Sequence, residues 1–278
     1  MLGYLLALFV TSTGALECRP NGGLVRLADL AEASGVAVSR DGSRLWTHND
    51  SGDPVIVELT ADGRVTRRIT LAGAAVEDWE AIAAGPCPGG SCVYIGDIGD
   101  NDASRKSITI YRVPEGALGK ASAQARDVLR ATYPDGAHDA ETLLVEPQTG
   151  ILYIVTKGDT GPVALYRFPR DVHPGKTAKL ERIGTPRDAG KADRITDGSV
   201  SPDGRWVVLR SNGTAYVYGA ADFFAGRWRE TTRVDLGGLG EPQGEGIAFA
   251  GPSTLILLGE GGGKKQPGTF ARLSCTFD

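Results

Sequence analysis

No GxSxG nucleophile elbow, HExxH helix, phosphate-binding loop or strand-linked dinucleotide fingerprint occurs in these 278 residues. Nucleophilic serine chemistry and nucleotide binding therefore have no support. The run GLGEPQGEG at 238–246 shares only glycine content with a dinucleotide loop. No basic stripe with interleaved aromatics accompanies the mild net charge of -4, so nucleic acid is not an expected partner. No apolar run is long enough to span a bilayer. A long helix has little support, since only Leu118 to Val128 has tolerable helical composition and a loop explains it equally well. The loops lack EF-hand spacing.

What remains is an ordinary globular composition, 41% hydrophobic and 23% charged, with ample length for a core. Its 39 glycines sit largely beside Asp, Asn, Pro and Ser between short apolar runs, as in an all-β chain rich in tight turns. The apolar run Leu2 to Val10 is followed by small residues up to Ala15. Residues 1–15 read as a secretory signal peptide and 16–278 as one domain, placing the protein outside the cell or in a periplasm. No Lys or Arg precedes that run, so a start within a longer signal, or a first strand, stays open. Glu17 before Cys18 argues against a lipoprotein.

The four cysteines are an even number and predict disulfides in an exported chain. Cys87 and Cys92 flank the turn Pro88-Gly89-Gly90-Ser91 and can bridge one hairpin. Cys18 and Cys275 lie at opposite ends, and pairing them requires the termini to meet. Neither spacing suits a metal site.

An internal repeat organises the chain. Apolar strands with a polar start recur as SGVAVS, DWEAIA, DAETLL, TDGSVS and QGEGIA. Each is followed by a turn such as SRDGSR or SPDGRW, whose Asp-Gly pairs supply the positive φ angles that hairpins need. Second strands run into acidic, glycine-rich loops: LWTHNDSGD, VYIGDIGDN, LYIVTKGDTG, VVLRSNG and LILLGEGGG. A third strand and a variable, amphipathic fourth complete the unit. Four strands repeated at roughly 45 to 60 residues are the signature of a β-propeller blade.

Five blades are expected, with six as the alternative if 114–138 or 169–195 hides another. The last unit ends after its third strand, while Gly23 to Leu30 precedes the first inner strand. Antiparallel pairing of this segment with TFARLSC supplies the missing outer strand, closes the ring and brings Cys18 near Cys275.

In such a ring the inner-strand starts and the loops after second strands share the face around the channel mouth. Glu80, Glu141 and Glu245 hold equivalent positions there, with Asp78, Asp139 and Asp197 close by. From the loops come His48, Asn49, Asp50, Asp53, Asp97, Asp100, Asn101, Lys157, Asp159, Arg210 and Glu260. Converging carboxylates repel unless offset, and hard oxygen ligands from several blades suit Ca²⁺. The competing reading is architectural: the glutamates accept hydrogen bonds from neighbouring blades, and the GDIGDND aspartates order their own loop through Asx turns. Lys157 and Arg210, with Asp50, Asp100 and Asn101, form a candidate substrate-binding set; the two cations orient an anionic group or neutralise the acidic ring. His48 and His138, beside Asp50 and Asp139, are candidate general bases. Trp46, Trp79, Trp206 and Trp228 read as packing between blades.

The phrases HNDSGDP, DWEAIA, YIGDIGDN, DAETLL, TDGSVSPDGR and QGEGIA resemble those of bacterial secreted propellers. More distantly they are similar to the calcium-dependent gluconolactonases, strictosidine synthase-like proteins and esterase-like phytases. That resemblance implies a mouth Ca²⁺ held by Glu80, Glu141 and Glu245 with Asn49, Asp97 and Asp197. The five-blade count departs from those six-bladed families. Two functions are expected from these residues: a Ca²⁺-assisted hydrolase of esters, lactones or phosphoesters, or a non-catalytic module binding a small molecule or protein at the mouth. A monomer is expected.

Overall fold

The computed structural model describes residues 17–28, 30–159, 161–187, 194–263 and 265–277; the expected leader lies outside them. Strands β1 (Glu17–Pro20) and β2 (Val25–Leu27) precede the repeats. The first unit contains β3 (Ala33–Val38), β4 (Leu45–Asn49), β5 (Val55–Leu59) and β6 (Val65–Ala72). The second holds β7 (Trp79–Cys87), β8 (Gly90–Asp97), β9 (Ile108–Pro114), β10 (Ser122–Gln124) and β11 (Asp127–Thr132). The third holds β12 (Ala140–Val145), β13 (Leu152–Thr156), β14 (Val163–Arg167), β15 (Thr177–Lys179) and β16 (Glu181–Arg187). The fourth is β17 (Asp197–Val200), β18 (Trp206–Arg210), β19 (Thr214–Gly219) and β20 (Glu230–Asp235). The fifth is β21 (Gln243–Phe249), β22 (Thr254–Glu260) and β23 (Gly268–Thr276).

Five antiparallel meanders result, and their inner strands contact in the cyclic order β3, β7, β12, β17, β21 and back to β3. The protein is a five-bladed β-propeller. Among the described residues, the stretches 114–138 and 169–195 form no sixth blade. Each contributes one outer strand, β11 or β16, and one three-residue strand that pairs in parallel with the preceding blade: β10 with β6 and β15 with β11.

Both faces of a second strand are buried, which explains why those strands read as nearly unbroken apolar runs. In β8, Val93 and Ile95 face the first blade while Cys92 and Tyr94 face the third. In β22, Leu255 and Leu257 face the fourth blade while Ile256 and Leu258 face the first. One apolar cluster thus fills each junction between blades. Trp46 and Trp79 are wholly buried in the junction between the first two.

The termini close the ring as the repeats predict. β1 and β2 both pair antiparallel with β23, with Cys18 opposite Cys275 and Val25 opposite Phe270. Cys18–Cys275 and Cys87–Cys92 are disulfides. The 118–128 stretch forms no long helix: a 3₁₀ turn ends at Gly119, and β10 and the start of β11 follow.

Candidate functional site

The inner strands begin at one rim of the channel, and four of them do so irregularly. Register slips between Trp79 and Ala81, between Ala140 and Thr142, and between Gly244 and Ile247. A bulge sets an extra residue against its partner strand and re-aims its side chain. The residues inside these slips include Glu80, Glu141 and Glu245. In the first blade the slip falls between Ser34 and Ala37, while the fourth stays in register with Asp197 opposite Arg210.

The three glutamates are brought together and buried, with 8%, 4% and 6% exposure for Glu80, Glu141 and Glu245. Burial pushes the Glu141 carboxyl well above the usual range, and Glu80 and Glu245 push it further. Glu80 is raised by burial first, then by Asp78, with Glu245 and Asp50 adding to it. Glu245 is raised by burial against the Gln243 amide, which donates to its Oε1 at 2.7 Å. Glu260 is pushed up to about 7 by burial and then by Glu245, Asp50 and Glu32. Asp78 is pushed up to about 6 by burial, with Asp139 and Asp50 adding and Arg105 opposing.

Lys157 is set against these carboxylates. Its ammonium is ion-paired with Glu141 and stands 3.6 Å from Asp139 Oδ2, with 14% of the side chain exposed. Burial works against its charge, but Glu141, Asp139 and Glu80 outweigh that and hold it above the usual lysine range. Ser34 Oγ donates to Glu80 Oε2 at 3.2 Å and to the Glu80 carbonyl at 3.1 Å, joining the first blade to the second.

Other expected site residues serve the scaffold. Both Asp97 oxygens are engaged: Oδ1 accepts from Asp78 N–H and the Arg105 guanidinium, and Oδ2 from Glu77 N–H. Asp97 therefore anchors the loop before β7 and is not turned to the mouth as a metal ligand. Asp100 accepts from the Ser104 and Arg105 amides, an Asx-type turn that orders its own loop. Asn101 is exposed, with its amide 3.5 Å from Asp78 Oδ2. Asp197 Oδ2 accepts from Ile247 N–H at 2.8 Å, locking the fourth blade to the fifth. Arg210 is wholly buried, donating to the Gly246 and Leu258 carbonyls and to Glu241, so it ties those blades together instead of meeting a substrate.

Neither histidine stands as a base at the mouth. His48 is fully buried against Trp79, its Nδ1 3.0 Å from the Asn49 carbonyl, and burial lowers its pKa to about 4. His138 lies between the second and third blades, its Nε2 2.9 Å from Tyr166 Oη and 3.1 Å from Asp135 Oδ1.

Arg105, Glu32 and Glu241 also belong to this network, though no motif in the sequence marks them. Arg105 follows Asp97 across an irregular loop, and no local pattern announces that its guanidinium returns to Asp97, Glu77 and the Gly99 carbonyl. Gly99 is required where it stands, because a Cβ there would lie 2.5 Å from Asp78 Cγ and 2.7 Å from Glu80 Cγ.

The donor chemistry fits Ca²⁺. Asn49 Oδ1, Asp139 Oδ2, Glu141 Oε2 and Asp197 Oδ1 are buried oxygens without a hydrogen-bond partner among the described residues, and such hard oxygens are what Ca²⁺ takes. Among the described residues, however, no three His, Cys, Asp or Glu side chains are already grouped as metal ligands. The far end of the channel opens into a cavity of about 640 Å³, lined by residues such as Val36, Ile82, Leu143, Val200 and Phe249, away from the acidic cluster.

No protein-family model and no curated protein matches the chain. Solved structures do match. A luciferin-regenerating enzyme is 11% identical, covering 90% of this chain and 94% of that one, with a TM-score of 0.53. The PQQ-bound aldose sugar dehydrogenase of Streptomyces coelicolor is 12% identical, covering 94% and 98%, with a TM-score of 0.51. At such identities the likeness is one of fold.

Proposed function

We propose that the acidic mouth binds Ca²⁺ and holds an ester, lactone or phosphoester for hydrolysis. The observation that supports this is the convergence of Glu80, Glu141 and Glu245, side chains from three blades whose pKa values are raised by burial first and by neighbouring carboxylates second. Such a cluster binds protons or a cation to offset its charge. Glu80, Glu141, Glu245 and Asn49 would hold the ion, which when bound supplies Lewis-acid polarisation of a substrate oxygen. Asp78, half-buried with its pKa at about 6, is ionised at neutral pH and more basic than an ordinary carboxylate. It is suited to take a proton from water at its Oδ2, the oxygen beside the Asn101 amide. That both structural relatives are enzymes by name accords with a catalytic propeller.

Two disulfides suit an oxidising compartment, in keeping with a secreted or periplasmic protein. No helix among the described residues is long and apolar enough to cross a membrane. The test is calorimetric titration with Ca²⁺ beside a panel of lactones, aryl esters and phosphate esters, with and without EDTA. Binding, together with EDTA-sensitive hydrolysis that Asp78→Asn abolishes, supports the reading. Absence of Ca²⁺ heat and a Tm indifferent to EDTA would end it.

One observation favours a second reading. Lys157 already offsets part of the acidic charge, which suits a metal-free, non-catalytic module that binds a small molecule or protein at the mouth. Ca²⁺-independent ligand binding without turnover is its expected result.

A further inference from the structure

We propose that Lys157 is a tethered cation that shares its seat with the incoming metal, so that ion binding requires the lysine to leave Glu141 and Asp139. The inference rests on the Ca²⁺ reading above. It starts from a coincidence of place: the ammonium is ion-paired with Glu141, stands 3.6 Å from Asp139 Oδ2, and acts electrostatically on Glu80, Glu245 and Glu260. Two of the buried oxygens without hydrogen bonds, Glu141 Oε2 and Asp139 Oδ2, belong to the same two carboxylates, which are 4% and 1% exposed. Glu141 therefore has an acceptor to spare beside the one turned to the lysine. In Asp139, Oδ1 takes the Asp100 N–H at 2.8 Å, and Oδ2 faces the ammonium with no hydrogen bond, so departure of the lysine frees it.

Two cations cannot share that space at ordinary ligand distances, because like charges a few ångströms apart repel strongly in a partly buried site. The chain around Lys157 permits departure of the side chain. Lys157 closes β13 through its own backbone, donating to the Asp139 carbonyl and accepting from Ile195 N–H. Gly158 follows at φ 98°, turning the chain away from the blade. The backbone stays fixed by these bonds while the flexible four-carbon stem swings, and 14% exposure of the side chain gives it a way out. Lys157 thereby sets the affinity of the mouth: a monovalent or weakly held ion fails to displace it, and a divalent ion that gathers several carboxylates succeeds.

The test compares intact protein with Lys157→Met, a variant of similar length without the charge, by Ca²⁺ calorimetry at pH 7. Affinity is expected to rise about tenfold or more in the variant, since no ion pair need be broken. Wild-type binding with no gain in the variant refutes the exchange while leaving the Ca²⁺ reading standing. Binding in neither protein removes the Ca²⁺ reading and the exchange with it. Binding only in Lys157→Met supports the exchange and refutes Ca²⁺ as the native ligand.

A second measurement needs no variant and decides the matter should Lys157→Met fail to fold. Amine-reactive labelling of the wild-type protein, read at Lys157 by peptide mass spectrometry, is expected to increase several-fold when Ca²⁺ is added. Unchanged labelling of Lys157 at saturating Ca²⁺ overturns the proposal.

Discussion

Replacing Cys18 and Cys275 by Ala tests how the ring is closed. Their sequence separation is 257, against 5 for Cys87 and Cys92. In the chain-entropy description a crosslink acts by restricting the unfolded chain, and its effect grows with the logarithm of the loop it closes. At 25 °C the long loop corresponds to about 5.5 kcal/mol and the short one to about 2 kcal/mol, a difference of about 3.5 kcal/mol. Residual structure in the unfolded chain shrinks both figures, so a measured gap of about 2–3 kcal/mol is expected. The folded ring survives, because β2 still pairs with β23 through Val25, Arg26 and Leu27. The assay is guanidinium chloride unfolding of Cys18→Ala/Cys275→Ala and Cys87→Ala/Cys92→Ala side by side, followed by tryptophan fluorescence. Loss of the long crosslink is expected to raise the m-value as well, since the freed chain exposes more surface. Equal losses in the two double variants would refute the reasoning, and a gain in stability on removing Cys18–Cys275 would do so more strongly.

Four further outcomes are expected. Glu80→Gln removes one charge from the cluster, so the metal-free protein is expected to gain Tm at pH 8 while Ca²⁺ affinity drops about tenfold or more; parallel thermal scans and calorimetry check both signs. Metal-free stability is expected to be greatest in acid: Asp78 and Glu260 have raised carboxyl pKa values, so their contribution is present below pH 4 and lost as pH rises through about 6 and about 7. Urea unfolding at pH 4, 6 and 8 reads that trend, and saturating Ca²⁺ flattens it. Gly99→Ala forces the loop away from Asp78 and Glu80 and is expected to cost about 1–3 kcal/mol, with weakened Ca²⁺ binding in the same preparation. Arg210→Met leaves Glu241 buried without its partner and is expected to lose about 3–5 kcal/mol in chemical denaturation, far more than loss of an exposed pair such as Arg233–Glu230.

Much of the frame was legible because it is written locally. Alternation along VYIGD places Val93 and Ile95 on one face and Tyr94 on the other, and that pleat does not depend on distant residues. The unpaired outer strand of the last unit pointed to Gly23–Leu30, and β2 lies within that segment. The equivalence of Glu80, Glu141 and Glu245 was equally plain from DWEAIA, DAETLL and QGEGIA. The bulges that turn these side chains were not, because a register slip depends on how two strands meet and leaves no mark on either alone.

Roles within the mouth depended on partners far along the chain. Asp97 and Asp78 look alike as sequence, yet Arg105 and two backbone amides claim Asp97 while Asp78 rises to a pKa of about 6. Arg210 and Lys157 hold corresponding places in their repeats, yet one is enclosed by two carbonyls and Glu241 and the other meets Glu141. His48 fell out as a base because Trp79 of the next blade covers it. The repeat, the residues that begin each inner strand and the expected pairing of the two ends can be read along the chain, as consequences of a two-residue pleat and short turns; five blades against six was decided by the fold. Which of those charges are paired, and with what, is set by the tertiary packing of strands, loops and blades. Coulomb and hydrogen-bond energies depend on distance through space, and here the partners come from different blades.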